Sequence, residues 1–365
     1  MIYLLLKMIK KSFPIVILLM LALLAGGCGS KQAQKDAEAE AIDSTTKVSP
    51  TEETTGESKD YDLAAIGKAI EGCEMLKNFH NGIADVKKDG KWFCIDRSGR
   101  VIDEPPRQEE EGLHEVVDQK TGLRGFADKT GKVVIDYQFD YVGQFSEGLC
   151  WVCKKEPDNG IGFIDETGKL VIDYQFDWPG EHNPSDFHEG LCPVMVDGSR
   201  EIFSYIDKTG KVAFPGVYSY EADFCEGLAG VTEVVSTDPY VTRSGYIDKT
   251  GKLVIEVEHA GSYCERFHDG VAKITKYGVP TYFIDKQGNK LFELDERFKY
   301  VEYSEEGTWR VYDGEHFGFI DNTGKLIVPC KYEARGTFSE GLSPVQDKID
   351  GKWGFVDKEG HSTFE

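Results

Sequence analysis

From residue 79 onward the chain keeps returning to the same short words, and this recurrence constrains its fold more than any single motif. One unit reads Phe-x-Glu-Gly-Leu-x-x-Val, then a variable loop, then Gly-Phe-Ile-Asp-x-x-Gly-Lys-x-Val-Ile. A clear copy opens at Phe145-Ser146-Glu147-Gly148-Leu149 and closes with Gly162-Phe163-Ile164-Asp165 and Gly168-Lys169-Leu170-Val171-Ile172. The first glycine falls at 82, 112, 148, 190, 227, 270, 307 and 341, and the aspartate at 96, 128, 165, 207, 248, 285, 321 and 357. Spacings of 30 to 43 residues mean that the loops vary while the core words persist.

Each unit offers three short strands. In the first, Ala84, Cys150, Cys192, Ala229, Ala272 or Ser343 is followed two residues on by Val86, Val152, Val194, Val231, Ile274 or Val345. Residues two apart on a strand share a face, so this small-then-branched pattern marks the core side. Gly-Phe-Ile-Asp supplies the second strand and Lys-x-Val-Ile the third. Asp-x-x-Gly between them is a turn with aspartate at its first position and glycine at its fourth. No ten-residue stretch of the array has helical periodicity. The fold class is therefore all-β: a tandem array of about eight three-stranded antiparallel repeats. Such units either stack as an open solenoid-like array or close as a β-propeller. Unequal unit lengths and the absence of an obvious ring-closing strand at Phe364 favour the open array, with the propeller as the alternative.

The words resemble the WG (KWG) β-repeat family. Lys352-Trp353-Gly354-Phe355-Val356-Asp357 is similar to its hallmark and Phe338-Ser339-Glu340-Gly341-Leu342 to its opening word. Lys91-Trp92 keeps the tryptophan, whereas Arg124, Ile161, Ser244 and Phe317 stand in its place elsewhere. The resemblance covers nearly all of residues 79–360. It implies a repeat fold and no particular activity.

The N-terminus carries an address. Lys7, Lys10 and Lys11 precede an apolar run from Phe13 to Ala25, then Gly26-Gly27-Cys28. As a helix that run reaches only about 20 Å, short of the ~30 Å hydrocarbon core. Leu24-Ala25-Gly26-Gly27-Cys28 resembles the lipobox of bacterial lipoproteins, although the leucine lies one residue early. The resemblance implies a signal peptide over 1–27, diacylglycerol on Cys28 and anchorage to the outer face of a bacterial membrane. Met8 is an alternative start that leaves an ordinary signal peptide.

Residues 28–60 contain no aromatic residue and only Ile42 and Val48 as larger aliphatics. Such a segment cannot offset its ordering entropy by burial and reads as a disordered tether. Its r.m.s. span is roughly 30 Å and its maximum near 110 Å. Residues 61–78 form a short N-terminal cap, with a short amphipathic helix within Tyr61–Leu76, and 79–365 the repeat domain. Removal of 1–27 takes three lysines and no acid, leaving 39 Lys+Arg against 64 Asp+Glu, a formal charge of −25 where the whole chain has −22. So acidic a surface repels nucleic acid and anionic polymers. The partners it leaves are the bilayer, reached through the lipid, and an envelope protein or glycan.

Little else points to chemistry. The chain has no G-x-S-x-G, S-x-x-K or H-E-x-x-H. The recurring aspartates are explained by their turns, and no EF-hand-like run is present. Cys150 and Cys153 have CxxC spacing but lie on a strand, pointing to opposite faces, and there is no second CxxC for zinc. Cys150 and Cys192 occupy the alanine slot of other units and read as buried core fillers; the states of Cys73, Cys225, Cys264 and Cys330 are open. The richest polar segment is the insertion between units three and four. Trp178, His182, Asp186 and His188 make it the candidate ligand surface, and histidines beside carboxylates suit a divalent metal. Against a metal, His80, His188 and His268 share the slot of Ser146, Cys225 and Ser339, so part of the cluster is repeat variation. No metal, cofactor or catalytic residue is assigned. The function predicted is a membrane-tethered, non-enzymatic binding or scaffold module. Its rival is a cell-wall hydrolase with a site gathered from inter-repeat loops.

Overall fold

The computed structural model describes residues 60–102, 112–154, 160–177, 184–196, 202–258, 261–333, 336–348 and 351–364. Cys28, the signal segment, Trp178 and His182 lie outside the described residues. Apart from one helix, Leu63–Ala69, the regular structure there is antiparallel strand.

Among the described residues, six sheets of three to six strands are arranged as a β-propeller, and the pair Leu342–Gln346 with Trp353–Asp357 completes the ring. The six-stranded sheet carries two units, joined where Phe203–Asp207 meets Tyr218–Glu221. Of the two arrangements the repeats allow, the protein takes the closed one. Four sheets gain a strand beyond the three per unit, on the N-terminal side of each unit: Met75–His80, Tyr141–Val142, Tyr263–Cys264 and Tyr300–Tyr303.

The small-then-branched positions are buried throughout, from Ala84 and Val86 to Ser343 and Val345. The opposite face is buried too. Leu149–Lys154 hides Leu149, Trp151 and Cys153 as well as Cys150 and Val152. A strand covered on both sides is what face-to-face packing of neighbouring sheets requires. The third strands, by contrast, alternate exposed and buried residues, as in Leu170–Phe176. They form the outer edge.

Phe-x-Glu-Gly-Leu is more than an opening word. Ser146 and Leu149 exchange both backbone hydrogen bonds, at 2.9 and 3.0 Å, around Glu147 (φ 52°) and Gly148 (φ 83°). Two central residues with positive φ make a type I′ hairpin turn. Glycine adopts that conformation freely, whereas a left-handed glutamate costs about 1 kcal/mol. The glutamate recurs because the next unit uses its carboxylate. Glu147 accepts from Gly190 N–H at 2.9 Å and from Lys208 Nζ at 3.1 Å. Glu189 does the same for Gly227 and Lys249 and Glu306 for Gly341 and Lys358, while Glu226 accepts from Gly270 and forms an ion pair with Lys286 at 3.6 Å. At one junction the shorter Asp269 is reached instead by Tyr303 Oη at 2.5 Å.

Closure uses the same staple. Glu340 of the last unit accepts from Gly82 N–H at 3.0 Å and from Arg97 Nη1 at 3.0 Å in the first. Phe79 packs on Phe355 with centroids 4.9 Å apart, and Ser339 Oγ donates to Phe79 O at 2.6 Å. No strand is shared across this seam among the described residues. The helix stands in for a missing outer strand instead. Ile66 and Ile70 are buried with Leu342 and Phe355. On one side a Cβ at Gly67 would meet Thr363 O at 2.8 Å; on the other, a Cβ at Gly99 would lie 2.4 Å from Ala65 C. Elsewhere the glycine equivalent to Gly99 faces the preceding outer strand, as Gly168 faces Ile135.

Candidate functional site

The Asp-x-x-Gly aspartates are turn caps. Asp248 Oδ1 accepts from Thr250 N–H at 2.9 Å, Thr250 Oγ1 at 2.6 Å and Lys252 N–H at 3.2 Å, and Gly251 N–H returns to Asp248 O. Asp128, Asp165, Asp207 and Asp321 repeat the arrangement. The hydrogen bond from Thr250, with its neighbours, holds the Asp248 carboxyl below its ordinary range. At Asp357, Glu359 and His361 three possible ligand atoms lie within 4.8 Å of one another. Yet Asp357 already accepts from both backbone N–H groups and from Tyr61 Oη at 3.2 Å, with His361 Nδ1 3.1 Å away. It is the same turn with a cap packed over it.

The eight described cysteines are free thiols. Cys150 and Cys192 are fully buried, and burial pushes the Cys150 thiol up to about 12. A thiol so far from ionisation is a poor nucleophile or metal ligand.

One set of polar positions that the repeat does not explain lies just before the phenylalanine of the hairpin word: Asn78, Asp186, Asp223, Arg266 and Thr337. Phenylalanines 79, 187, 224, 267 and 338 are buried, which pins the preceding residue at the junction with the next unit. Side chains from adjacent units therefore meet. Asn78 Nδ2 donates to Thr337 Oγ1 at 2.8 Å. Asp223 Oδ2 accepts from Arg266 Nη1 at 3.3 Å and lies 3.6 Å from His188 Nε2. Asp186, from the same unit as His188, completes the group. Burial raises its carboxyl above the ordinary range, His188 opposes the shift and Asp223 adds to it. Both Asp186 Oδ1 and Asp223 Oδ1 are buried without a hydrogen-bond partner.

Two of the four predicted ligand-surface residues, Asp186 and His188, thus share one cluster. Asp223 and Arg266 were missed by sequence reading because each belongs to a different unit. Their common place before phenylalanine was the available signal. His188 keeps the slot inferred from the repeat, bridging to Leu191 as Ser146 bridges to Leu149. His268, in that slot two units on, stacks on Tyr303 at 4.0 Å, and burial lowers its pKa.

Five segments match the WG containing repeat. They are residues 73–92, 125–156, 161–199, 203–233 and 317–353, so 234–316 stand outside the match. No curated protein sequence matches the chain. Among solved structures, BamB from Moraxella catarrhalis is 12% identical, with 77% of this chain and 95% of that one covered and a TM-score of 0.41. A eukaryotic initiation factor is 10% identical, covering 80% and 86%, TM-score 0.40. A streptogramin B lyase is 17% identical, covering 79% and 91%, TM-score 0.30. At these values the likeness says nothing of what this chain binds.

Proposed function

We propose that this chain is a lipid-anchored, non-enzymatic binding or scaffold protein of the bacterial cell envelope, recognising a protein or glycan through its inter-unit polar row. The repeated polar words are already used, the aspartates in turns and the glutamates in joining units. Among the buried polar atoms left without a partner are two carboxylate acceptors of one cluster, Asp186 Oδ1 and Asp223 Oδ1. An unsatisfied buried acceptor costs about 1–3 kcal/mol, which a partner rich in hydroxyl, amide or ammonium donors would recover. That pair carries the proposal.

The test is retention from envelope extract on the immobilised wild-type chain and on the Asp186→Ala and Asp223→Ala variants. A partner held by wild type and lost by both supports the reading; equal retention by all three, or none, defeats it. The anchor has its own test. Cys28→Ser releases the protein from membranes or leaves it unprocessed, and normal cleavage with undiminished membrane association contradicts lipidation.

One observation favours the rival. A carboxyl raised by burial beside a second carboxylate that pairs with arginine is an arrangement used for acid–base hydrolysis. Cell-wall fragments released by wild type and not by Asp186→Asn would favour an envelope hydrolase.

A further inference from the structure

Outer strands of this ring end on a large aromatic. Phe139 stands opposite Arg124, Phe176 opposite Ile161 and Tyr332 opposite Phe317, in each case after a bulge, and all three aromatics are buried. The residue opposite each precedes the glycine of the second strand: Gly125, Gly162 and Gly318. In the unit built on Leu228–Thr237 and Tyr240–Asp248, the outer strand Leu253–Glu256 stays in step at this point, with Tyr246 opposite Ile255 and Gly245 opposite Glu256. Val257 N–H then donates to Ser244 O at 3.0 Å, and Ser244 precedes Gly245. Valine therefore occupies the aromatic slot. A cavity of about 290 Å³ opens there against the next unit. It lies within 234–316, outside the WG match.

We propose that this cavity binds a small organic ammonium ion with a short aliphatic body. Its floor is apolar, made by the buried Ile255, Val257 and Ile284, with Pro280 and Tyr282 as walls. Three carboxylates, Glu256, Glu258 and Glu293, border it against a single cation, Lys290. That lysine already shows what the cavity accepts. Its Nζ stands 5.3 Å from the Tyr282 ring centroid and pairs with Glu293. Cation–π attraction extends to about 6 Å, and an alkylammonium adds burial of its methylene or methyl groups on the floor. Lys290 is itself exposed and tethered by a long flexible stem, so an incoming cation can displace it. The volume lies just below the ~300–1,000 Å³ range of ligand pockets, which limits the ligand to a few carbons. An anion of the same size meets three carboxylates and is excluded.

The experiment is calorimetric titration of the full chain with butyltrimethylammonium chloride, with sodium pentanoate as the anionic counterpart. Saturable binding of the ammonium alone is the result expected. Val257→Phe, which restores the aromatic of other units, abolishes it, and Tyr282→Leu weakens it about five- to tenfold. Lys290→Gln, a surface change without risk to folding, tightens it by removing the competing internal cation. Undetectable binding, equal affinity for pentanoate, or undiminished affinity in Val257→Phe overturns the proposal. So does Lys290→Gln binding no tighter than wild type, which decides the matter if Val257→Phe fails to fold.

Discussion

Glu147 sets two effects of opposite sign on one residue, and three substitutions separate them. Its carboxylate holds Gly190 N–H at 2.9 Å and Lys208 Nζ at 3.1 Å, while its backbone sits at φ 52°. Buried hydrogen bonds to charged groups contribute about 1.5–3 kcal/mol, and exposed ion pairs about 0–1. The side chain is 31% exposed and its lysine 43%, so the lower part of that range applies. Glu147→Ala keeps the left-handed strain and loses the staple, costing about 1.5 kcal/mol. Glu147→Gly loses the staple but relieves about 1 kcal/mol of strain, so it is nearly neutral. Glu147→Gln retains an acceptor for Gly190 and falls between wild type and alanine. Urea unfolding followed by tryptophan fluorescence gives the order, and a loss of ~1 kcal/mol lowers Tm by about 2–4 °C in large domains. Burial raises the Glu147 pKa, but the bonds from Lys208 and Gly190 outweigh it and leave the value lowered. The staple's contribution is thus complete above the unfolded value of 4.5 and disappears as pH falls through the lower folded value. Equal losses for alanine and glycine would refute the strain argument. A glutamine variant as weak as alanine would refute the staple.

Other expectations follow from the same contacts. Asp248→Ala removes the acceptor of three turn bonds and should cost about 1 kcal/mol in thermal unfolding without changing partner affinity. The carboxyls of Asp96, Asp128, Asp165, Asp207, Asp248, Asp285 and Asp321 are all held low. Acid melts should therefore show stability present above the ordinary value of 3.8 and lost as pH falls through the depressed ones. Ile66→Ala should cost about 2–4 kcal/mol although it lies in the helix ahead of the first strand, measured by denaturant midpoint; an effect under ~1 kcal/mol would deny the helix its part in the seam. Cys150 and Cys192 should be silent to a thiol reagent in native protein and react without reductant once unfolded, and a Cys150–Cys153 disulfide would contradict them as core fillers.

The local words were legible in the chain because their causes are local. Asp-x-x-Gly needs only its own backbone N–H groups to make a turn, and residues two apart need only strand geometry to share a face. Hence the all-β class, the turn role of Asp248 and the burial of Ala84, Cys150 and Cys192 could be read from residue order alone. Closure could not. It depends on Glu340 meeting Gly82 and Arg97 from the far end of the chain, and on a helix covering the seam where a strand was sought at Phe364. Nor could the purpose of the hairpin glutamate be seen within one unit, since its partners belong to the next. The polar row divides the same way. Asp186 and His188 are close in sequence and were found together. Asp223 and Arg266 are brought to them only by the packing of successive units, because the contacts that assemble the row run around the ring and not along the chain.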